Sequence, residues 1–381
     1  ELLRLSRRAR VAAESAPPAL HDYWLREMDF STGEAALIAA PPGKTTCEYV
    51  FFPGCQLGAY RPEHVLRPLE ALREQLDVGV FLGCCGAPAY WAGDDDRLDA
   101  NTAQIRAAWE RLGQPTFVFA CATCARVFSE ILPEIDGVSL YEKLADADKL
   151  APAAIFDSAA VFDPCASGDD EDMQNAVRAL ATRSGVALTE LAERGKCCGH
   201  GGHIRLANPS LYEEITANRA GESELPYIVY CANCREVFAS RGKACAHILD
   251  VAFGLSAPAT PDIDARRKNS IEVKRMVTKQ FAGGDFSPTA NPWDDIELII
   301  DAETAERIDR KLIAQSDIRE AIYLAQRDGD RFTAPDGSEQ CSMIKAALVY
   351  WVMYRRLGDS RYEITDAYYH RMKFGEESDN G

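Results

Sequence analysis

Short apolar runs alternate with amphipathic stretches through the first two thirds of the chain. The runs are EYVFF, VGVFLG and TFVFA, followed by AAVF, GVAL and YIVY. Runs of this length are candidate buried strands. Between them lie HVLRPLEALREQL, RLDANTAQIRAAWERL and MQNAVRALATRS, whose apolar residues recur at three and four, as on one face of a helix. Strand, helix, strand, helix, strand, helix, read twice, predicts an α/β fold. It would consist of two tandem pseudo-symmetric βαβαβα repeats with parallel sheets and helical crossovers. Ligand sites in such sheets collect at the carboxyl ends of the strands.

The flanking regions read differently. Residues 1–46 predict a helical N-terminal segment, with repeats over 47–150 and 151–250. Residues 251–290 carry Pro, Gly and Ser and predict a linker with one short helix, IEVKRMVTKQF. Residues 291–381 predict a small α+β module. There the helical stretch TAERIDRKLIAQSDIREAIYLAQ precedes two strand-like runs, SMIKAALVYWVMYRRL and RYEITDAYYHRM, and the tail GEESDNG predicts disorder. The longest apolar run, Ala346 to Tyr354, suits a buried strand or helix. No run approaches the ~18 residues of a membrane span. The opening ELLRLSRRAR is charged and lacks a signal peptide's apolar core. A start at Glu1 in place of Met points to processing or to a longer polypeptide.

Composition narrows the chemistry. With 381 residues, 47% hydrophobic and 27% charged, the chain has room for two or three domains. A formal charge of −17 argues against nucleic acid and against an anionic membrane surface as partners. Thirteen cysteines are the unusual feature. Their odd number, the lack of an export signal and the size of the chain argue against a disulfide framework and for a reducing cytoplasm.

The cysteines repeat one pattern. A single Cys (Cys55, Cys165) precedes an adjacent pair (Cys84 and Cys85, Cys197 and Cys198), and a C-x-x-C follows (Cys121 and Cys124, Cys231 and Cys234). Cys165 lies 110 residues after Cys55, Cys197 113 after Cys84, and Cys231 110 after Cys121. GCCGAP pairs with KCCGHGG, and FACATCARVF with VYCANCREVF. Three landmarks in one order at nearly one offset mark a tandem duplication. Each set falls just past predicted strand ends, and each C-x-x-C opens a predicted helix, whose amino terminus favours thiolate. Thiolates in this number suit zinc or iron–sulfur clusters. Adjacent cysteines fit one tetrahedral ion poorly, because successive side chains diverge, and fit a polynuclear cluster better. Zinc stays as the alternative.

The order Cys, CysCysGly, Cys-x-x-Cys, twice, resembles the cysteine-rich CCG domain family, whose best-known member is the B-type subunit of heterodisulfide reductase. The resemblance covers about residues 47–250. It implies an iron–sulfur oxidoreductase subunit that reduces or forms a disulfide or other sulfur substrate at two non-cubane 4Fe-4S clusters. Cys55, Cys84, Cys85, Cys121 and Cys124 would hold the first cluster, and Cys165, Cys197, Cys198, Cys231 and Cys234 the second. These ten cysteines would be ligands and catalytic centre at once. The implied partners are a heterodisulfide reductase A-like flavin subunit, bearing flavin and further 4Fe-4S clusters, and a C-like ferredoxin subunit or domain. No G-x-G-x-x-G follows a strand, so flavin or nicotinamide is expected on another chain. The helical N-terminal stretch would then be the end of the ferredoxin-like domain in a fused C–B subunit. One departure is Ala166 after Cys165, where relatives often carry His. Two other functions stay open: an electron relay in a glycolate-, lactate- or succinate-type dehydrogenase complex, and a zinc-stabilised scaffold.

Other residues carry two readings each. His200, with His203, lies in CCGHGGH and is a candidate proton donor to a leaving thiolate, or a hydrogen-bond donor to cluster sulfur. Gly86, Gly199, Gly201 and Gly202 would let the backbone pass close to a cluster. Asp163 and Asp169 default to solvated or turn-capping roles. Phe52, Trp91 and Tyr230 default to the core, as do Cys47, Cys245 and Cys341.

Overall fold

A computed structural model describes residues 2–13, 20–147, 150, 152–256 and 259–370. The chain divides into two compact units. One comprises Glu1–Ser15, Glu27–Thr260 and Arg266–Ser287, the other Ala16–Arg26, Pro261–Ala265 and Pro288–Gly381.

The first unit holds two sheets. Strands β1 (Leu37–Ala39), β2 (Tyr49–Phe52), β3 (Val78–Leu82), β4 (Thr116–Phe119) and β5 (Gly137–Ser139) form one, in the order β1-β3-β2-β4-β5. Strands β6 (Ser158–Phe162), β7 (Ala187–Glu190), β8 (Tyr227–Val229) and β9 (Cys245–His247) form the other, in the order β7-β6-β8-β9. Every ladder in the second sheet is parallel. Among the repeated strands of the first sheet the same holds. Both sheets therefore run second strand, first strand, third strand, fourth strand, with helices as crossovers. Parallel strands demand such crossovers, which explains why apolar strand runs and amphipathic helices alternate in the sequence.

Three features depart from expectation. The segment 1–46 is not wholly helical. Helices Leu2–Ala12 and Asp22–Thr32 form, but β1 pairs antiparallel with β3, Leu37 opposite Leu82, and makes the first sheet mixed. Each repeat also has a fourth strand, β5 and β9, only three residues long and too short to show a period. The expected short helix of the linker is a 20-residue helix, Ile263–Ala282, and its Val273, Val277 and Phe281 join the main apolar core.

The second unit is α+β. Its sheet runs in the order β10-β14-β13-β12-β11, over β10 (Glu297–Ile299), β11 (Arg331–Thr333), β12 (Glu339–Lys345), β13 (Leu348–Arg356) and β14 (Arg361–His370). The apolar run that suited a strand or a helix is β13, and the chain turns at Ala346, whose φ of 51° breaks the long run into a hairpin. The single predicted helix is two, Ala302–Arg310 and Gln315–Asp328, parted at Leu312 with φ 60°. The expected disordered tail lies outside the described residues. Among the described residues, no helix is long and apolar enough to cross a membrane.

Candidate functional site

Each group of cysteines sits where a strand gives way to a loop or helix. After β2 the chain passes Pro53 and Gly54 and begins the helix Cys55–Tyr60. Gly54 has φ 77°, and a Cβ there would lie 3.0 Å from the Cys124 sulfur, so only glycine fits. After β3 come Cys84, Cys85 and Gly86, and then helix Ala87–Ala92. After β4, Cys121 occupies the N-cap position of helix Ala122–Ile131. In the second repeat Cys165 opens a short 3-10 turn after β6, and Cys231 caps helix Ala232–Ser240 after β8. Cys197 and Cys198 follow β7 in an extended loop, with Gly199 at φ 101°.

The thiols meet in the same order in both repeats. Side-chain contacts run Cys55–Cys84–Cys85–Cys124–Cys121 in the first. They run Cys165–Cys197–Cys198–Cys234–Cys231 in the second, with Cys198 and Cys234 sulfurs 3.2 Å apart. Contacts with Cys124 and Cys84 hold Cys85 well below the ordinary thiol range, and those with Cys165 and Cys198 do the same for Cys197. The Gly199 N–H also donates to the Cys197 sulfur at 3.3 Å. A hydrogen bond from Cys234 lowers Cys231. Their neighbours Cys84, Cys124, Cys165, Cys198 and Cys234 are pushed up by those same contacts. Thiolates packed side by side repel unless positive charge lies among them. Among the described residues no three or more His, Cys, Asp or Glu are grouped to hold a metal ion. A line of five soft donors, in which two sequence neighbours face different partners, fits a polynuclear iron–sulfur centre better than one tetrahedral ion.

The two sets differ in their surroundings. Cys84 and Cys85 are 1% and 3% exposed, whereas Cys165 and Cys197 are exposed to solvent. Asp163 is not the solvated residue expected. It is buried, and Arg178 grips both carboxylate oxygens at 3.1 and 2.7 Å. Burial alone would raise its pKa, but hydrogen bonds from Arg178 and Tyr230 outweigh that and hold it below the ordinary carboxylate range. Ser167 bonds the Tyr230 hydroxyl at 2.8 Å, and Gln174 donates to the Ser167 carbonyl at 2.6 Å. Cys165 is thus framed by a polar network. Asp169 is exposed, as expected. Cys47, Cys245 and Cys341 are buried, as are Phe52 and Tyr230.

A cleft of about 710 Å³ opens between the repeats. Its lining includes Tyr90, Trp91, Thr123, Arg126 and Glu130 from the first repeat, Cys165, Gly201 and Gly202 from the second, and Arg7. Thr123 lies inside the first C-x-x-C and Cys165 is the lone cysteine of the second set, so the cleft reaches both. Arg126 pairs with Glu130 at 3.1 Å, and Tyr90 also donates to Glu130. Trp91, expected in the core, is half-buried, meets His203 edge-on at 5.6 Å, and accepts a 2.6 Å bond from Arg7 at its carbonyl. His200 is half-buried and does not line the cleft. Burial lowers its pKa against the opposing charge of Glu236. Tyr90, Arg126 and Glu130 escaped sequence reasoning because no motif links them. They converge only through the fold.

Residues 49–129 and 159–238 each match the family model of the CCG cysteine-rich domain. A domain of this kind suggests iron–sulfur binding. Over 179 residues the chain is 26% identical to the B-type subunit of a fumarate reductase (CoM/CoB) from Methanothermobacter marburgensis. The alignment covers 45% of this chain and 36% of that protein, so the chain spans about a third of the relative's length.

Proposed function

From a chain that carries the cysteine-rich CCG domain twice, we propose an iron–sulfur oxidoreductase subunit that exchanges electrons with a disulfide or other sulfur substrate in the cleft between the repeats. The observation that carries this reading is the position of the cleft, which touches the first C-x-x-C at Thr123 and the second set at Cys165. In this reading Cys55, Cys84, Cys85, Cys121 and Cys124 hold one centre, and Cys165, Cys197, Cys198, Cys231 and Cys234 the other. Two non-cubane 4Fe-4S clusters are the cofactors it assigns. When bound, such centres supply the two electrons that turn a disulfide and two protons into two thiols.

The chain's own residues bind and orient. Arg7 and Arg126 face the cleft against one carboxylate, Glu130, and this balance suits a substrate carrying negative charge. The Trp91 ring offers an apolar wall. Gly201 and Gly202 leave the backbone open to a close approach. Protons reach the substrate from the solvent side, where Cys165 is exposed. His200 does not touch the cleft, so as a donor it would act through an intervening water. Electrons would pass to or from a flavin subunit and a ferredoxin-like subunit.

A second reading follows from the relative. That protein is one part of a fumarate reductase (CoM/CoB), and this chain could likewise relay electrons to chemistry on another subunit. Iron and zinc content with EPR, on anaerobically purified chain, separates the readings. About eight iron atoms per chain, with a paramagnetic signal that appears only with added thiol, supports substrate chemistry here. The same iron without any thiol response supports the relay. Little iron and about two zinc ions sinks both.

A further inference from the structure

The two C-x-x-C loops are joined through one side chain. Tyr141 lies in helix Leu140–Ala145, which follows β5, and Ser139 caps that helix by accepting from the Tyr141 N–H at 3.1 Å. The Tyr141 ring is fully buried. Its hydroxyl lies 2.7 Å from the carbonyl oxygen of Ala120 and 3.2 Å from that of Tyr230. Ala120 immediately precedes Cys121, and Tyr230 immediately precedes Cys231. The single O–H therefore donates chiefly to the first loop and shares a weaker, bifurcated bond with the second. The Tyr141 and Tyr230 rings also meet edge-on, with centroids 5.7 Å apart.

The corresponding turn of the second repeat shows what packing alone requires. There β9 leads into helix Ile248–Ala252, and His247 caps it by accepting from the Leu249 N–H at 3.2 Å. Leu249 stands where Tyr141 stands, and both belong to the same apolar core. An aliphatic side chain serves the packing, so the phenol is an addition of the first repeat alone. A buried hydroxyl needs a partner, but a single carbonyl would satisfy it. Here it spans two carbonyls from different repeats. The bond to Tyr230 continues the line, because the Tyr230 hydroxyl donates to Asp163 at 2.6 Å and meets Ser167, the two residues that flank Cys165.

We propose that Tyr141 is a positioning residue, a clamp whose hydroxyl holds the two C-x-x-C loops, and hence the two cysteine sets, at a fixed spacing. The part that concerns metal centres rests on the reading that these loops carry them, but the clamp itself does not. A substrate that must reach both sets needs their separation held to a fraction of an ångström.

The test uses the full chain, purified anaerobically and also stripped of iron, as wild type, Y141F and Y230F. Amide hydrogen exchange by mass spectrometry reads the peptides around residues 120–128 and 230–238. Phe keeps the ring and removes only the hydroxyl. Y141F should raise exchange about tenfold at both loops, with or without iron, because two buried carbonyls lose a donor. Y230F keeps its carbonyl and loses only the Asp163 and Ser167 bonds, so it should loosen the second loop and leave the first unchanged. In the iron-loaded chain, Y141F should retain wild-type iron and alter the EPR line broadening that one centre imposes on the other. Unchanged exchange at either loop in Y141F overturns the clamp, and so does a rise spread over the whole chain. Wild-type chain without iron would defeat the proposed function, while the exchange result would still decide the clamp.

Discussion

The two repeats share one topology and one order of thiol contacts, yet they are protected by opposite means. The first is covered with apolar material from outside the repeat. β1 pairs along the outer edge of β3, which is buried throughout, and Val273 of the long helix packs on Gly58 in the helix that Cys55 opens. In the second repeat β7 is an edge strand, mostly exposed, and a charged network around Asp163 replaces that cover. The two copies of the domain share the cysteine pattern, and their surroundings differ. A closed site favours holding a centre and passing electrons. An open site with Cys165 and Cys197 at the surface favours contact with a substrate. In the proposed function, the second set is the one placed to meet a substrate.

The largest expected effect lies in the charged network. R178A leaves the Asp163 carboxylate, 1% exposed, with Arg194 as its remaining cation at 3.3 Å. Losing one partner of a buried pair costs about 3 to 5 kcal/mol. Chemical denaturation should show a loss near the lower figure, since Arg194 compensates in part. A loss below about 1 kcal/mol would mean that the network does not support the second repeat.

Thiol alkylation of the iron-free chain sharpens the contrast directly. Cys197, exposed and held low by its thiol contacts, should label at least about tenfold faster than the buried Cys84 and Cys85, because reaction needs both access and thiolate. Equal rates would erase the distinction between an open and a closed set. V273A tests the apolar cover of the first repeat. Removing two buried methyl groups should cost about 2 kcal/mol and should speed labelling at Cys55 without changing Cys165.

The difference between the repeats was only partly legible in the sequence. Cysteine spacing at nearly one offset pointed to two copies of one pattern, and apolar runs between helical stretches pointed to alternating strands and helices. Both are local, periodic signals. The cover of the first repeat was not legible. β1 is three residues between a helix and a Pro-Gly turn, and the packing of residues 273–281 lies more than two hundred residues from Cys55. Asp163 read as a solvated residue because its partner Arg178 is a helix away and carries no motif. Trp91 and Arg126 share a cleft with Cys165 only through the packing of one repeat on the other. Non-local pairing of this kind leaves no pattern in a single sequence.

The smallest effect concerns the rim of the same network. Glu190 accepts from Arg178 at 2.6 Å and is about half exposed. The Arg178 hydrogen bond holds its pKa below the ordinary value of 4.5. A carboxylate lowered on folding contributes stability above its unfolded pKa and loses it as pH falls through the folded value. E190Q should therefore cost no more than about 0.5 kcal/mol at neutral pH, as screened surface pairs do. The gap from wild type should close as the solution is acidified below the ordinary carboxylate range. Glu134 in the first repeat provides the matched control. It pairs with Arg106 at 2.6 Å at similar exposure, and that hydrogen bond lowers its pKa in the same way. But Arg106 holds no buried carboxylate, so E134Q leaves no network to rearrange. If E190Q and E134Q cost the same and titrate alike, Arg178 acts on Asp163 independently of the rim. If E190Q costs clearly more, the rim orients Arg178, and the frame around Cys165 extends to the protein surface.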